Sequence, residues 1–322
     1  MKKLILFLSI IFMPLNVLAY SDYIYLGGST LGIEIECDGV LIVGFYEING
    51  KYNKGNPKLK VGDYITKVNG EEISSLNELA KEIEKYTKDK YVEITYKRDK
   101  KEYKTKLELV KENGVYKTGL YVKDSIVGIG TLTYIDPETL IYGALGHEII
   151  EGNSNKIVEI KDGSIFKNSI TSIDKSTVGH AGSKNAKYYF DTIYGSVYKN
   201  TNHGIFGKYT NKIENMELVK VADSKDVKIG NAKIYTVLNE EQVEEFDIEI
   251  TKINETSDTK NITFKITDKN LLDKTGGVIQ GMSGSPIMQN DMIVGVVTHV
   301  IVDNPITGYG LFITKMLEEG ER

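Results

Sequence analysis

The amino-acid sequence predicts a mostly β fold in two unequal units: a small α+β unit over about 23–110 and a larger unit of paired β-barrels over about 115–322. Three observations predict it. Short apolar segments alternate with polar residues at a period of two and are punctuated by turn dipeptides such as Asn49-Gly50 and Asn69-Gly70. The first unit carries one well-marked amphipathic helix. Beyond a linker at Lys111-Glu112-Asn113-Gly114 the chain continues for roughly 200 residues with few helical patterns before Phe312–Glu319, too long for a simple sandwich and suited to two barrels.

At the start, Lys2 and Lys3 precede an apolar run from Leu4 to Leu15, closed by Asn16-Val17-Leu18-Ala19. A charged start, a short apolar middle and a small-residue end form the pattern of an export signal, so residues 1–19 are expected to send the chain out of the cytoplasm. Cleavage after Ala19 and retention as a membrane anchor both fit, because Leu4 to Tyr20 is at the short limit for a span and Pro14 interrupts it. The formal charge is −5, with no dense basic patch, which excludes a nucleic-acid partner. The run Lys97-Arg98-Asp99-Lys100-Lys101 reads as a solvated hairpin tip. Cys37 is the single cysteine, so no intramolecular disulfide can form, and its alternating apolar segment marks it as a small buried residue.

In the small unit, Val40-Leu41-Ile42-Val43 is a buried-type strand. Ser75-Leu76-Asn77-Glu78 opens the helix as a capping box, the serine accepting from the N3 amide and the glutamate reaching back to the cap amide. Leu76, Leu79, Ala80 and Ile83 then define one apolar face. Tyr91–Tyr96 and Tyr103–Leu109 alternate as paired strands. With Leu31-Gly32-Ile33 in front and Lys60-Val61-Gly62-Asp63 in the middle, this order resembles a PDZ domain. The resemblance implies peptide binding by β-augmentation, with Leu31, Gly32 and Ile33 as the receiving loop and Leu76 on the flanking helix.

Hydrolysis of an amide by a side-chain nucleophile needs a hydroxyl, a base, a group to orient the base, and donors for the oxyanion. Gly281-Met282-Ser283-Gly284-Ser285-Pro286 can supply two of these, Ser283 as nucleophile and the backbone amides of Gly281 and Ser283 as donors. The following strand pair, joined by Asn290-Asp291, makes this segment resemble the nucleophile region of chymotrypsin-like peptidases. Of the four histidines, His147 in Gly143-Ala144-Leu145-Gly146-His147 is the candidate base, set 136 residues before the serine and so on a different barrel. His180 and His203 sit in loops, and His299 follows an apolar strand. Asp268, 15 residues before Ser283, and Asp191, between His147 and Ser283, both remain open as the orienting acid. The histidines lack the i, i+4 pairing of a zinc helix and no acidic ladder forms a calcium loop, so no metal or cofactor is expected.

A wider resemblance follows from Gly119-Leu120-Tyr121-Val122-Lys123-Asp124-Ser125, Gly128-Ile129-Gly130-Thr131, Gly143–His147, Gly204-Ile205-Phe206-Gly207, the run Gly276–Ile287, and the tail Val297-Thr298-His299-Val300. Together with the export segment and the PDZ-like unit they resemble the stage IV sporulation protein B peptidases. The resemblance implies an exported serine endopeptidase of endospore formers, placed between the two forespore membranes. Its implied substrates are its own N-terminal region and a membrane-anchored regulator of an intramembrane protease, whose removal releases processing of a late mother-cell sigma factor. It also tips the orienting acid toward Asp268. The competing expectation is a catalytically silent PDZ scaffold that binds peptides.

Overall fold

The apolar alternation that begins at Leu31 builds a single long strand, and that strand organises the molecule. The computed structural model describes residues 20–86, 89–112, 114–214 and 216–322, so the N-terminal segment expected to direct export lies outside the described residues. After β1 (Tyr23–Leu26), β2 runs from Thr30 to Phe45, 16 residues long. Its odd-numbered residues Leu31, Ile33, Ile35, Cys37, Leu41 and Val43 enter the core of a first barrel. On the opposite face Val40 and Ile42 enter the core of the small unit. One strand therefore serves two cores, as its period-two pattern requires.

The small unit continues through β3 (Tyr64–Val68), α1 (Leu76–Lys85), β4 (Tyr91–Arg98) and β5 (Lys101–Glu108). Ser75 caps α1 by accepting from the Glu78 amide at 3.2 Å. Glu78 instead reaches Ser74, whose amide and hydroxyl both donate to it at 2.8 Å, so the capping box closes one residue earlier than expected. The β4–β5 hairpin turns at Asp99 and Lys100, both left-handed. Arg98 beside them is only partly solvated: its guanidinium grips buried Asp63 through two bonds of 2.6 Å and lies over the Tyr96 ring.

The chain then returns along β6 (Leu120–Ile135), which pairs antiparallel with β2 from Leu120↔Phe45 to Thr131↔Thr30. The small unit is thus inserted into a β2–β6 ribbon of the first barrel. That barrel adds β7 (Ile141–Ala144), β8 (Ile160–Asp174), β9 (Ser183–Ser196) and β10 (Gly204–Lys208). It closes in the order β2, β6, β7, β10, β9, β8 and back to β2, the β10–β9 seam being made by the Gly195–Tyr209 bridge.

The second barrel holds β11 (Gly230–Asn239), β12 (Gln242–Ile253), β13 (Ile262–Ile266), β14 (Pro286–Gln289), β15 (Met292–Val300) and β16 (Thr307–Phe312). Its ring runs β11, β12, β13, β16, β15, β14 and back to β11. α2 (Lys269–Thr275) lies between β13 and the serine loop, and α3 (Ile313–Glu321) closes the chain. A further apolar cluster, including Ile24, Tyr134, Phe206, Ile293, Leu311 and Met316, joins the barrels. The mostly β fold, a PDZ-like unit with a double barrel, is the one expected, but the small unit interrupts the first barrel instead of preceding it.

Two expectations about the small unit are corrected. Residues 23–38 belong to the first barrel, because β1 pairs with β6 at Tyr25↔Ile135 and the front of β2 pairs with β6 and β8. Leu31, Gly32 and Ile33 are not a receiving loop: they are buried strand residues paired with β6, Gly32 and Ile33 are paired with β8 as well, and a Cβ on Gly32 would lie 2.1 Å from the Phe166 ring. A strand passing between two cores carries the same local alternation as a strand ending in one, so the sequence from Leu31 to Ile35 fits either place.

Candidate active site

The barrels meet at a cavity of about 510 Å³ to which each contributes one loop. Leu145 and Gly146 at the end of β7 are both left-handed, with φ of 68° and 69°, and this double turn carries His147 off the barrel into the cavity. A non-glycine residue at positive φ is strained, and it is held here by the Leu145 amide donating to Thr131 O. The serine loop is pinned to the same strand. Thr131 N donates to Ser283 O at 3.0 Å, Thr131 Oγ1 to Gly281 O at 2.8 Å, and Thr133 Oγ1 to Gly284 O at 2.8 Å. Thr131 and Thr133 are fully buried, so the serine loop and the His147 loop are both referenced to β6.

Ser283 and His147 therefore line one cavity, as the sequence predicts. The carbonyl anchoring leaves the Gly281 and Ser283 amides without a protein acceptor among the described residues, which is the state an oxyanion site requires. The Ser283 hydroxyl donates to Thr298 O at 2.7 Å. His147 is half-buried, and its Nδ1 lies 2.7 Å from Glu148 O, a carbonyl acceptor that selects the tautomer protonated at Nδ1 and leaves Nε2 free to accept. Burial pushes the His147 pKa below its ordinary value, against the opposing pull of the Glu148 carbonyl and carboxylate, so the ring is neutral at neutral pH. His299 faces it with ring centroids 4.9 Å apart. Although His299 shows surface to solvent, the cavity walls strip water from it, and desolvation with the neighbouring His147 takes its pKa down to about 4.

Neither candidate acid lines the cavity. Asp268 caps α2, its Oδ1 accepting from the Leu271 amide at 2.8 Å. Asp191 is exposed on β9. His203 lies away from the cavity, 3.2 Å from Asp258, and His180 bonds through its backbone to Thr177 in an exposed turn. Cys37 is buried, and burial pushes its thiol to about 11.

Two residues that sequence reading passed over support the site. Asn200 clamps the segment after His147, its Oδ1 accepting from Ile149 N at 2.8 Å and its Nδ2 donating to Ile149 O and Val158 O. Lys184 runs beneath Gly281 and is 4% exposed, with its Nζ 2.8 Å from Thr236 Oγ1. Among the described residues no carboxylate pairs with it, and desolvation brings its pKa down to about 7. Neither carried a signal, since an isolated Asn in a turn and a Lys in an alternating strand are ordinary surface patterns. The buried amine has a measurable consequence. Between about pH 7 and 10.5 the unfolded chain holds a proton that the folded chain has lost, so stability rises with pH across that window. Lys184→Met is expected to flatten this rise and to gain on the order of 4 kcal/mol at pH 7, read from paired denaturant titrations across the window.

A six-stranded barrel pair with a serine loop and a histidine facing each other across the seam, and a PDZ-like insert, defines a serine peptidase of chymotrypsin-like architecture. The comparisons with known proteins agree: residues 114–317 match the SpoIVB peptidase S55 model and residues 39–109 match the PDZ domain model. The chain belongs to the SpoIVB peptidase S55 family. It is a sporulation serine peptidase rather than a silent scaffold. No curated protein matches the sequence. The PDZ match begins at residue 39, where β2 exchanges β8 for β3 as its neighbour between Cys37↔Ile160 and Val40↔Ile65, in accord with the corrected boundary.

Proposed function

We propose that the chain is exported and cuts a protein substrate at an extended segment, with Ser283 as nucleophile and His147 as base. The convergence of Ser283, His147 and two unpartnered loop amides in one cavity carries this reading. The step requires the Ser283 hydroxyl to exchange its bond to Thr298 O for one to the imidazole. His147 takes its proton as Oγ attacks the substrate carbonyl, and the Gly281 and Ser283 amides donate to the resulting oxyanion. His147 then protonates the leaving amine, and water releases the acyl group. The aliphatic lining, Ile126, Ile129, Ile149, Val278, Ile279 and Val300, suits an apolar residue at the cut.

Family membership and the charged, apolar start of the chain support action outside the forespore membrane. They also support cleavage of its own N-terminal region and of a membrane-anchored regulator of an intramembrane protease, releasing a late mother-cell sigma factor for processing. N-terminal sequencing from sporulating cells tests the self-processing. The active chain is expected to begin beyond Tyr20, whereas Ser283→Ala remains at the product of export; identical N-termini would point to another protease.

The orienting role is held in this geometry by Glu148 O, so Asp268→Asn, which keeps an equally good helix cap, is expected to leave turnover within about tenfold of the parent. A loss of about 10⁴-fold with an unchanged melting temperature would show that the Asp268 carboxylate reaches the imidazole during turnover.

A further inference from the structure

β6 joins the two functional units physically. Its first residues lie beside α1, where Leu76, Leu79, Ala80 and Ile83 with Tyr116 and Val122 wall an apolar groove of about 610 Å³. Asp124 fixes this juxtaposition by accepting from the Leu76 amide at 2.8 Å. Further along, Ile126, Gly128 and Ile129 line the catalytic cavity. Among the described residues, β6 from Leu120 to Gly130 pairs only with β2, so its other edge is open over this whole length.

The open edge is of a kind that folded proteins normally protect. It has no proline, and Tyr121 and Val127 stand on it 56% and 40% exposed. A long edge without proline is a template for another strand, although Lys123 and two register irregularities, at Tyr121/Val122 and Lys123/Ser125, interrupt its first part. At Thr131 the outward-facing N–H and C=O are already taken by Ser283 O and Leu145 N. Since the β2 register is unbroken from Ser125 to Thr131, the alternation puts the backbone groups of Ser125, Val127 and Ile129 on that same outward edge.

We propose that the open edge of β6 is a single docking track for an extended substrate, which is cut at Ser283 and lays the segment after its scissile bond into the α1 groove. This rests on the reading of Ser283 as nucleophile. Every partner of β6 runs antiparallel to it, and a substrate that does the same passes from the cavity toward Leu120 as it runs from its N- to its C-terminal side. Seven positions separate Ile129 from Val122, about 23 Å of strand at ~3.3 Å per residue. The track therefore measures the substrate. It selects chains with an apolar residue at the cut and apolar residues again about seven to nine positions downstream, the backbone pairing giving affinity and the two apolar sites giving specificity.

Peptides sharing one cleavable segment, with two, five, eight or eleven residues after the cut, test this on the full chain. The value of kcat/KM is expected to step up by at least about tenfold between five and eight residues through a fall in KM, an avidity gain from linking two sites. Ala80→Arg fills the groove from an exposed helix position and is expected to bring the long-to-short ratio close to one. Val127→Pro, which removes an outward N–H that β2 does not use, is expected to do the same. A flat length series, a step that survives Ala80→Arg, or a step produced by N-terminal extension overturns the track. Failure of the wild-type chain to cut any peptide, the shortest included, overturns instead the catalytic reading on which it rests.

Discussion

Ser283→Ala is expected to lower peptide turnover by about 10⁴ to 10⁶-fold while the chain stays folded. The size follows from the site's construction. Among the described residues lining the cavity, Ser283 carries the hydroxyl that the proposed mechanism acylates, and what its removal leaves is the pair of loop amides and substrate binding. The structural cost is small because the side chain makes one hydrogen bond, to Thr298 O, from a partly exposed position. Loss of one such bond is worth about 1 kcal/mol, or about 3 °C in melting temperature for a chain this size. A fluorophosphonate is expected to label the wild type at Ser283 and to leave Ser283→Ala unmarked. Equal labelling of the two, or retained turnover in the variant, would move the nucleophile elsewhere. Ser285 is a poor substitute, being fully buried with its hydroxyl unpartnered inside the loop.

The two loops that bring Ser283 and His147 to one cavity were legible because their signals are local. Flanking glycines mark loops that must turn sharply, and Ser283 and His147 stand at the two places where such loops leave apolar strands. The helix of the small unit was legible for the same reason, through Ser75 and the spacing of Leu76, Leu79, Ala80 and Ile83. What the sequence misplaced depends on pairing between distant segments. Leu31–Ile33 alternates like an edge strand of the small unit, and only its register with Gly128–Gly130 and with Ile165 and Phe166 shows it inside the barrel. The groove strand is instead Leu120–Asp124, which is 75 residues beyond Phe45 in the chain yet adjacent to it in space. Asp268 illustrates a different limit. A carboxylate before a helix and a carboxylate beside a histidine look alike in sequence, and here the Leu271 amide holds it.

Gly284→Ala is expected to damage both halves of the site at once. Gly284 has φ of 97°, a conformation that costs an L residue about 1–3 kcal/mol, and an added Cβ would lie 2.0 Å from Thr131 O and 2.6 Å from Leu145 N. Both atoms are backbone, so no side chain can swing away. Relief requires separating the serine loop from β6, which strains the Thr131 N to Ser283 O bond, or pushing Leu145 off Thr131 O, which loosens the turn that presents His147. A displacement of about 1 Å between nucleophile and base suffices for about a 10²-fold loss of turnover. The variant is therefore expected to lose at least that much activity and about 3 kcal/mol of stability. Gly152→Ala, where nothing lies within 4 Å of the new methyl, is expected to change stability by no more than about 0.5 kcal/mol. Fluorophosphonate labelling of the folded fraction separates the two effects. A folded Gly284→Ala chain that labels at the wild-type rate would show that Thr131 does not set the distance between the two catalytic loops.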